Sequence, residues 1–399
     1  IISQLIEKWS DIKLMILRSW QQKIIDEYPS IIKQNKRFIL KAPTGAGKTI
    51  LASEIVERFY KDKKILVLCH RLVLLEQLER ALSKRHKVRK LSLSESGPAF
   101  NEYDILLSTN MRAKEVLEEA IRLADLIIVD EAHRVSPNGA GYKKILEDFE
   151  SYGKPDAQFM GLTASPERRT GDQRDQLNLA FDAIIDCADI ETLIEEGILV
   201  PPIYRPHFVH DLDLKSIDIS SGDFPVSKLA PAIVKSSMID YALFIYEEER
   251  KNVSPKPISA WFCPDVTVAE ATLEKIERAG IVVAIVTANT PIAERMRLLQ
   301  QHEDGEIEAM VSVGVLAEGW DNPHCNIIVH LRPTLSKVVW GQTVGRGLRS
   351  APGKEKCVVI DVSSNWSTFG PVEKLQWSLW NHRRSYVQFK NRFNWIGQQ

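Results

Sequence analysis

The sequence has 399 residues, enough for two or three domains of ordinary size. Hydrophobic residues make up 44% and charged residues 26%, which is typical of a globular protein with an ample core. No apolar run approaches the ~20 residues that a membrane span requires. The first residues, IISQLIEKWSD, lack the features of a secretory signal. We therefore exclude a membrane-spanning protein and expect a cytoplasmic one.

Charge and cysteine usage restrict the class of protein further. The net charge of −1 gives no overall basic signature of a nucleic-acid-binding protein, although a local groove can supply that charge. The five cysteines contain no CxxC pair, which suits a reducing compartment and argues against a zinc module. Basic residues cluster at 80–90, which we interpret as the solvated end of a helix and the loop after it.

The first half of the chain alternates short β-branched runs with segments of helical period. Runs that are apolar on both faces are typical of buried parallel strands, and the segments between them read as crossover helices. Such βα repeats predict a parallel sheet flanked by helices. The predicted strands are residues 38–42, 64–70, 104–109, 125–130 and 158–163.

The alternation breaks near residue 200 and resumes after residue 257. The stretch between them is irregular and rich in proline and acidic residues, as in a connector. The strands predicted after it are residues 257–263, 281–287, 307–313, 326–331 and 356–362. The fold class is therefore α/β, with two tandem domains. We expect an N-terminal domain at 1–200, a connector and start of the second lobe at 201–256, a second domain at 257–363 and a helical tail at 364–399.

Residues 42–49 (APTGAGKT) lie between the first predicted strand and a helix, and they match the P-loop pattern except that Ala42 replaces the first glycine. Glycines let backbone N–H groups curl around phosphates at the positive helix N-terminus. Lys48 is placed to reach the β- and γ-phosphates, and Thr49 to ligate Mg²⁺. The alternative, a glycine-rich turn without a ligand, does not explain the strand–loop–helix context. The expected nucleotide-binding residues are Pro43, Thr44, Gly45, Ala46, Gly47, Lys48 and Thr49.

The strand LIIVD ends in the run Asp130-Glu131-Ala132-His133. Acids at the carboxyl end of a central strand point into the crevice where the P-loop lies. Hydrolysis of a nucleoside triphosphate needs one carboxylate for Mg²⁺ and a second to orient and deprotonate water. We assign Asp130 to the metal and Glu131 to the water. A solvated acidic turn is the alternative for these acids alone, and His133 could be an ordinary loop histidine rather than a coupling residue.

The P-loop together with this DEAH run resembles the superfamily 2 helicases of the DEAD/DEAH type, which have two RecA-like domains. LRSWQQKII (17–25) is similar to the segment that contacts adenine, which implies that Gln21 and Arg18 bind nucleotide. VLCHR (67–71) and STN (108–110) look like strand-contacting motifs, and GLTASPERR (161–169) resembles the coupling motif. The last match implies coupling roles for Thr163 and Ser165.

The second half carries the later motifs of the same superfamily. VGVLAEGWDNP (313–323) looks like motif V and QTVGRGLR (342–349) like motif VI. Gln342, Arg346 and Arg349 share one helical face, and arginines presented across a cleft can neutralise charge on a transferring phosphoryl group. Taken alone, these arginines could equally be surface charges. The resemblance implies nucleotide binding by Asp321 and nucleic-acid contacts by Arg71, Thr109, Thr287, Glu318, Gly319 and Trp320.

The implied function is an ATP-dependent helicase or translocase that uses ATP and Mg²⁺ and acts on DNA in preference to RNA. The narrower resemblance is to RadD-like ATPases, through LRPT followed by GQTVGRGLRSAPGK, and to UvsW-like ATPases, through LRSWQQKII, but without the zinc module. We expect a monomer of bacterial or phage origin. Two alternatives stay open: the motor subunit of a restriction or defence complex whose partner supplies a nuclease, and a slow nucleotide-switched scaffold.

The C-terminal segment 364–399 interleaves aromatic residues with five Lys/Arg against one acid. Such a pattern suits base stacking and phosphate contact. The alternative is a helix whose aromatic side chains pack on the second lobe, and we favour it because Trp377 and Trp380 share one helical face.

Overall fold

The computed structural model describes residues 17–69, 79, 83, 86–91, 98–108, 114–167, 176–219, 222–316 and 320–379. These residues form two α/β lobes, each built on one parallel sheet. The predicted fold class, two tandem RecA-like domains, is confirmed.

The sheet of the first lobe has seven strands in the order β3-β4-β2-β5-β6-β1-β7. Its strands are β1 (Arg37–Lys41), β2 (Ile65–Leu68), β3 (Val88–Lys90), β4 (Ile105–Ser108), β5 (Leu126–Asp130), β6 (Gln158–Thr163) and β7 (Ala183–Asp186). The central strands are buried on both faces, as their unbroken β-branched runs predict. Because all neighbours are parallel, the carboxyl ends of β1, β5 and β6 meet at one edge.

Helices cover this sheet by burying one face each. In the first helix, buried apolar residues recur at helical spacing from Trp20 through Ile24 and Tyr28 to Ile31. The helices are α1 (Ser19–Gln34), α2 (Lys48–Phe59), α3 (Lys114–Leu123), α4 (Ala140–Tyr152) and α5 (Ile190–Glu195), with 3-10 turns at Ala132–Arg134 and Leu177–Leu179.

The sheet of the second lobe has six strands in the order β10-β11-β9-β12-β13-β8. Its strands are β8 (Pro202–Pro206), β9 (Ser259–Phe262), β10 (Val283–Val286), β11 (Ala309–Ser312), β12 (Ile327–His330) and β13 (Cys357–Asp361). The helices are α6 (Val226–Lys235), α7 (Met238–Glu249), α8 (Val266–Arg278), α9 (Ile292–Glu303), α10 (Lys337–Gly347) and α11 (Asn365–Phe369), with 3-10 turns at Arg250–Asn252 and Val372–Lys374.

Three strands were not anticipated from the sequence. β3 and β7 are edge strands whose side chains are only partly buried, so they lack the apolar signature of the central strands. β8 begins and ends with proline and pairs with β13, which makes it the edge of the second sheet. The stretch treated as a connector and start of the second lobe therefore contributes a strand to that lobe.

Apolar packing continues across the boundary between the lobes. One buried cluster includes Leu162 and Ala188 of the first lobe with Val344 and Leu348 of the second. The chain passes between the lobes at residues 198–202, and this crossing pairs with the end of α10. The backbone N–H of Val200 donates to the carbonyl of Leu348 at 2.7 Å, beside a β-bridge from Leu199 to Arg349.

The segment after α11 runs along the same boundary. Lys374 pairs with Glu191 of the first lobe at 2.6 Å, and Lys337 of α10 donates to the carbonyl of Gln376 at 2.6 Å. The Lys337 Nζ also lies 5.3 Å from the centre of the Trp377 ring. Up to residue 379 the tail packs on the lobes, while Trp380 and the later aromatic and basic residues lie outside the described residues.

Within the described residues, no single helix is long and apolar enough to cross a membrane. By length and composition only, α6 could do so together with the helical stretch Met238–Asn252, and the two are bent by 65° at their junction.

Candidate active site between the two lobes

The P-loop turns sharply between β1 and α2. Gly45 (φ +82°) and Gly47 (φ +103°) both adopt left-handed backbone conformations that side chains disfavour. The half-buried Lys48 donates from Nζ to the loop carbonyls of Ala42 (3.0 Å) and Pro43 (3.2 Å). Burial lowers the pKa of Lys48, an effect opposed by nearby carboxylates. The ammonium group thus lies inside the loop that would cradle phosphates.

Arg18 and Gln21 hold the outer side of this loop. The Arg18 guanidinium donates to the carbonyl of Ala46 at 2.6 Å, and the Gln21 amide donates to the carbonyl of Gly47 at 3.1 Å. The Gln21 side-chain oxygen accepts from the backbone N–H of Arg18 at 3.0 Å. Both residues are therefore placed beside the P-loop, where a contact with adenine stays a prediction.

The two acids lie at the carboxyl end of β5, one strand away from β6 and two from β1. Glu131 has a left-handed backbone (φ +52°), which turns its side chain away from the strand direction. Burial and the neighbouring Glu131 charge raise the pKa of Asp130. Burial would also raise the pKa of Glu131, but the hydrogen bond from His133 and the nearby Lys48 and Arg346 charges lower it overall. Glu131 is therefore ionised at neutral pH.

His133 connects the acids to the second lobe. Its Nδ1 lies 3.0 Å from the Thr163 hydroxyl and 3.3 Å from a Glu131 carboxylate oxygen. Its Nε2 lies 3.2 Å from the amide nitrogen of Gln342, which also donates to the Ser165 hydroxyl at 3.1 Å. Since an amide nitrogen only donates, Nε2 accepts and the ring proton is on Nδ1, facing Thr163 and Glu131.

Arg346 reaches the same site from α10, whereas Arg349, predicted on the same helical face, lies two residues beyond the end of this helix. Arg346 is buried, 6% exposed, and donates to the carbonyl of Trp320 at 2.9 Å. The Arg349 side chain lies over the P-loop, where a Cβ added at Gly45 would be 2.9 Å from its Cγ. Arg349 pairs with Asp321, and its buried Nε has no hydrogen-bond partner among the described residues. Burial lowers the pKa of Arg349 to about 10, so it stays charged at neutral pH.

This arrangement fits a nucleoside triphosphate and a divalent cation. The unpartnered Arg349 donor faces a loop whose glycines and lysine can bind phosphate oxygens. Thr49 follows Lys48 in the first turn of α2, and the raised pKa of Asp130 is the expected result of burial beside a second acid.

The predicted nucleic-acid contacts are less well placed. The Trp320 ring is 5% exposed and lies against His302 at 5.8 Å, so it is not available for stacking on a base. Thr287 lies in a half-buried turn whose carbonyls accept from Arg295 at 3.0 to 3.2 Å. Arg71, Thr109, Glu318 and Gly319 lie outside the described residues.

Sequence reasoning missed the residues that fix the motif V segment. The Asn322 amide lies 3.1 Å from Nδ1 of His302, whose Nε2 donates to the carbonyl of Ser259 at 3.0 Å. Both side chains are fully or almost fully buried. No motif match covers His302, and its place in a helix gives no sequence signal for this role.

Two family models match the chain in the order of the two lobes. Residues 14–168 match the family described as "Type III restriction enzyme, res subunit", and residues 244–351 match "Helicase conserved C-terminal domain". The two matches follow the two α/β lobes in order and support the resemblance to ATP-hydrolysing helicases.

Relatives of known name point the same way. The chain is 28% identical over 333 residues to a "51.5 kDa protein" of a Lactococcus phage, covering 83% of this chain and 67% of the relative. It is 27% identical over 364 residues to "Putative ATP-dependent helicase IRC3" of Saccharomyces cerevisiae, covering 87% of this chain and 51% of the relative. Together with the two family models, these relatives support the resemblance to the superfamily 2 helicases. It spans about half to two thirds of these relatives.

Solved structures add support for the fold. The chain is similar to the ATP-dependent Type ISP restriction-modification enzyme LlaBIII bound to DNA, with a TM-score of 0.61 and 18% identity over 95% of this chain and 30% of that one. The resemblance to superfamily 2 helicases is confirmed, whereas the narrower similarity to RadD-like or UvsW-like ATPases stays a prediction.

Proposed function

We propose that this chain hydrolyses ATP to move along, unwind or remodel nucleic acid, with DNA favoured over RNA. The observation that carries the proposal is the contact of Gln342 with His133 and Ser165. This contact joins the acid pair of the first lobe to α10 of the second lobe. A site completed by both lobes ties hydrolysis to their relative position.

Nucleotide binding is assigned to the P-loop and the residues around it. In the proposed complex the Lys48 ammonium exchanges its bonds with Ala42 and Pro43 for bonds to phosphate oxygens. Mg²⁺, held by Thr49 and by Asp130, would neutralise charge on the phosphates when bound. Arg18 and Gln21 stabilise the loop from its outer side.

Proton transfer is assigned to Glu131. Its lowered pKa keeps it ionised, and His133 orients it through Nδ1. The carboxylate accepts a proton from the attacking water while Arg346 and Arg349 stabilise the charge that develops on the phosphoryl group. Four side chains transmit the position of α10 to Glu131: those of His133, Thr163, Ser165 and Gln342.

Nucleic acid is proposed to lie across both lobes. Arg71, Thr109, Thr287 and residues 318–320 are the candidate contacts, and Trp320 would contribute through its backbone rather than its buried ring. Contacts of this kind bind phosphates, so binding should weaken with salt and show little sequence preference.

A second candidate function is the motor of a restriction or defence complex. The family model of residues 14–168 is that of a restriction subunit, which favours this reading. A nuclease on another chain or segment would then supply cleavage. Co-purification with a nuclease, and DNA cleavage that depends on ATP only in its presence, would favour this function over a helicase that acts alone.

A slow nucleotide-switched scaffold is the least favoured alternative. Such a protein could dispense with the water-activating acid or the arginines, whereas Glu131, Arg346 and Arg349 all converge on the P-loop here. A turnover number that does not rise with any nucleic acid would support the scaffold.

The deciding experiment measures ATPase rate with single-stranded DNA, duplex DNA, a forked junction and RNA as separate activators. We expect a DNA form to raise kcat most, and a monomer in solution during the assay. Equal rates with and without every polymer would refute the motor. Action in the cytoplasm of a bacterium or a phage-infected host is part of the same proposal, and a phage relative supports it.

A further inference from the structure

A buried lysine lies just beyond the C-terminal end of α10, outside the nucleotide-binding cleft. Lys354 is 6% exposed, and its Nζ donates to four backbone carbonyls. The accepting carbonyls and distances are Pro323 at 2.8 Å, Cys325 at 2.7 Å, Gly347 at 2.7 Å and Arg349 at 2.6 Å.

The four carbonyls belong to two functional segments. Pro323 and Cys325 follow Trp320 and Asp321 in motif V, while Gly347 ends α10 and Arg349 is the arginine over the P-loop. An ammonium has three N–H donors, so one of the four bonds is shared. The lysine therefore ties the end of α10 to the motif V segment at a fixed distance.

The charge of Lys354 has an electrostatic reason to be here. It lies at the C-terminus of α10, where the last carbonyls lack partners within the helix and carry partial negative charge. No described carboxylate pairs with it, and burial lowers its pKa. A buried cation is costly unless fully hydrogen-bonded, so a methionine would fill this space with less penalty if packing were its only role.

The two segments that Lys354 joins have different roles in the proposed motor. On one side, the backbone of Arg349 carries the guanidinium that lies over Gly45 and pairs with Asp321. On the other, motif V is fixed by Asn322 on His302, and by Arg346 on the carbonyl of Trp320. A change in one segment is thereby passed to the other through Lys354.

We propose that Lys354 is a positioning residue that sets the place of Arg349 and couples it to the motif V segment. This inference rests on the proposed ATPase motor. Lys354 touches neither nucleotide nor nucleic acid in it, and acts only through the backbone that it holds.

The test compares Lys354→Met with wild type in ATPase assays with and without a single-stranded oligonucleotide. Methionine keeps an apolar stem of similar length but has no donor. We expect kcat with DNA to fall about 10- to 100-fold, as small misplacements of a catalytic group do. Affinity for a fluorescent ATP analogue should change by less than about threefold, because Lys354 does not contribute to nucleotide binding in the ground state. DNA stimulation of the remaining activity should be lost.

Lys356→Met is the matched control, since Lys356 is half-buried in the same turn and makes none of these four bonds. We expect wild-type turnover and stimulation from it. Lys354→Arg addresses the case in which the methionine variant does not fold. It retains the charge at the helix end, but a planar guanidinium cannot reach all four carbonyls. Turnover should stay reduced at a near-wild-type melting temperature.

A double-mutant cycle separates positioning from packing. If Lys354 acts through Arg349, then Lys354→Met combined with Arg349→Ala should lose no more kcat than Arg349→Ala alone. Losses that multiply, or a folded Lys354→Arg protein with wild-type kcat and stimulation, would overturn the role of Lys354. A wild-type chain that no nucleic acid stimulates would overturn the proposed motor together with this inference, so the two failures are distinguishable.

Discussion

The two lobes share an α/β architecture but place their charges differently. In the first lobe, Lys48, Asp130 and Glu131 lie close together, and burial together with their mutual charges and the neighbouring His133 shifts their pKa values. In the second lobe, Arg346 and Lys354 are held by backbone carbonyls. In the proposed mechanism the first lobe contains the reacting groups, and the second lobe contributes the positive charges that stabilise the phosphoryl group. Loss of the P-loop lysine in the first lobe should therefore affect both binding and turnover, whereas loss of an arginine in the second lobe should affect only turnover.

The largest effect is expected from Lys48→Ala, in the first lobe. Loss of the ammonium that reaches the β- and γ-phosphates should reduce hydrolysis to background and weaken nucleotide binding as well. ATPase rate and titration with a fluorescent nucleotide measure the two effects. Unchanged nucleotide affinity would break the proposed difference between the lobes.

Arg346→Ala tests the second lobe. Arginines that neutralise a transferring phosphoryl group contribute on the order of 10³-fold or more to kcat, so we expect a loss of about that size. Affinity for ATP should stay nearly intact. Arg278→Ala, on an exposed helix face where it pairs with Glu274, is the control and should behave as wild type. A large loss of ATP affinity with unchanged kcat would count against the proposed role of Arg346 in stabilising the transferring phosphoryl group.

Glu131→Gln removes the proposed base while preserving the shape of the side chain. General-base catalysis is typically worth about 10²- to 10⁴-fold, and we expect kcat in the presence of DNA to fall within this range while nucleotide still binds. Single-turnover measurements would show whether the chemical step is affected. Near-wild-type turnover with an activator present would contradict the assignment of Glu131.

Gln342→Ala breaks the contact between the lobes without removing a charge. The variant loses the bonds to His133 and Ser165, each worth about 1 kcal/mol, so we expect roughly a 30-fold fall in DNA-stimulated kcat. Basal hydrolysis should fall less than stimulated hydrolysis. If both rates fell equally, Gln342 would serve the chemistry rather than communication between the lobes.

The smallest expected effect concerns stability in acid, through His302 in the second lobe. Burial lowers the pKa of His302 to about 4, below its unfolded value near 6.5. The unfolded chain therefore binds more protons between these pH values, and stability that is complete above pH 6.5 is lost as pH falls. His302→Gln should remove roughly 2 kcal/mol of the loss in unfolding free energy between pH 7 and pH 5.

Denaturant titrations at both pH values measure this difference. His330, whose pKa burial lowers to about 3, is retained in the variant and keeps its own share of the acid sensitivity. An identical pH dependence in wild type and His302→Gln would show that His302 does not titrate as a buried neutral histidine.

Much of this molecule follows from local sequence signals. All ten predicted strands lie in the two sheets, because buried parallel strands are unbroken apolar runs that contrast with the helices between them. The P-loop and the acid pair are equally local, since their residues are adjacent in sequence. Edge strands such as Ala183–Asp186 escaped prediction because half-exposed residues lose that contrast.

Contacts between distant segments could not be predicted in the same way. The bonds from Gln342 to His133 and from Lys354 to Pro323 depend on how whole elements dock, which no short pattern specifies. The place of the Trp320 ring likewise depends on how elements dock. A motif match suggested a nucleic-acid contact, yet a large aromatic ring gains more by packing against His302 in the core.

The crossing at residues 198–202 has a mechanical consequence. Because Val200 bonds to Leu348 and Leu199 bridges to Arg349, the pivot for any rotation of one lobe against the other lies beside the arginine that it delivers. Points near a pivot move little, while points far from it sweep long arcs. A rotation that shifts Arg349 only slightly would displace the far end of the second lobe by a much larger distance.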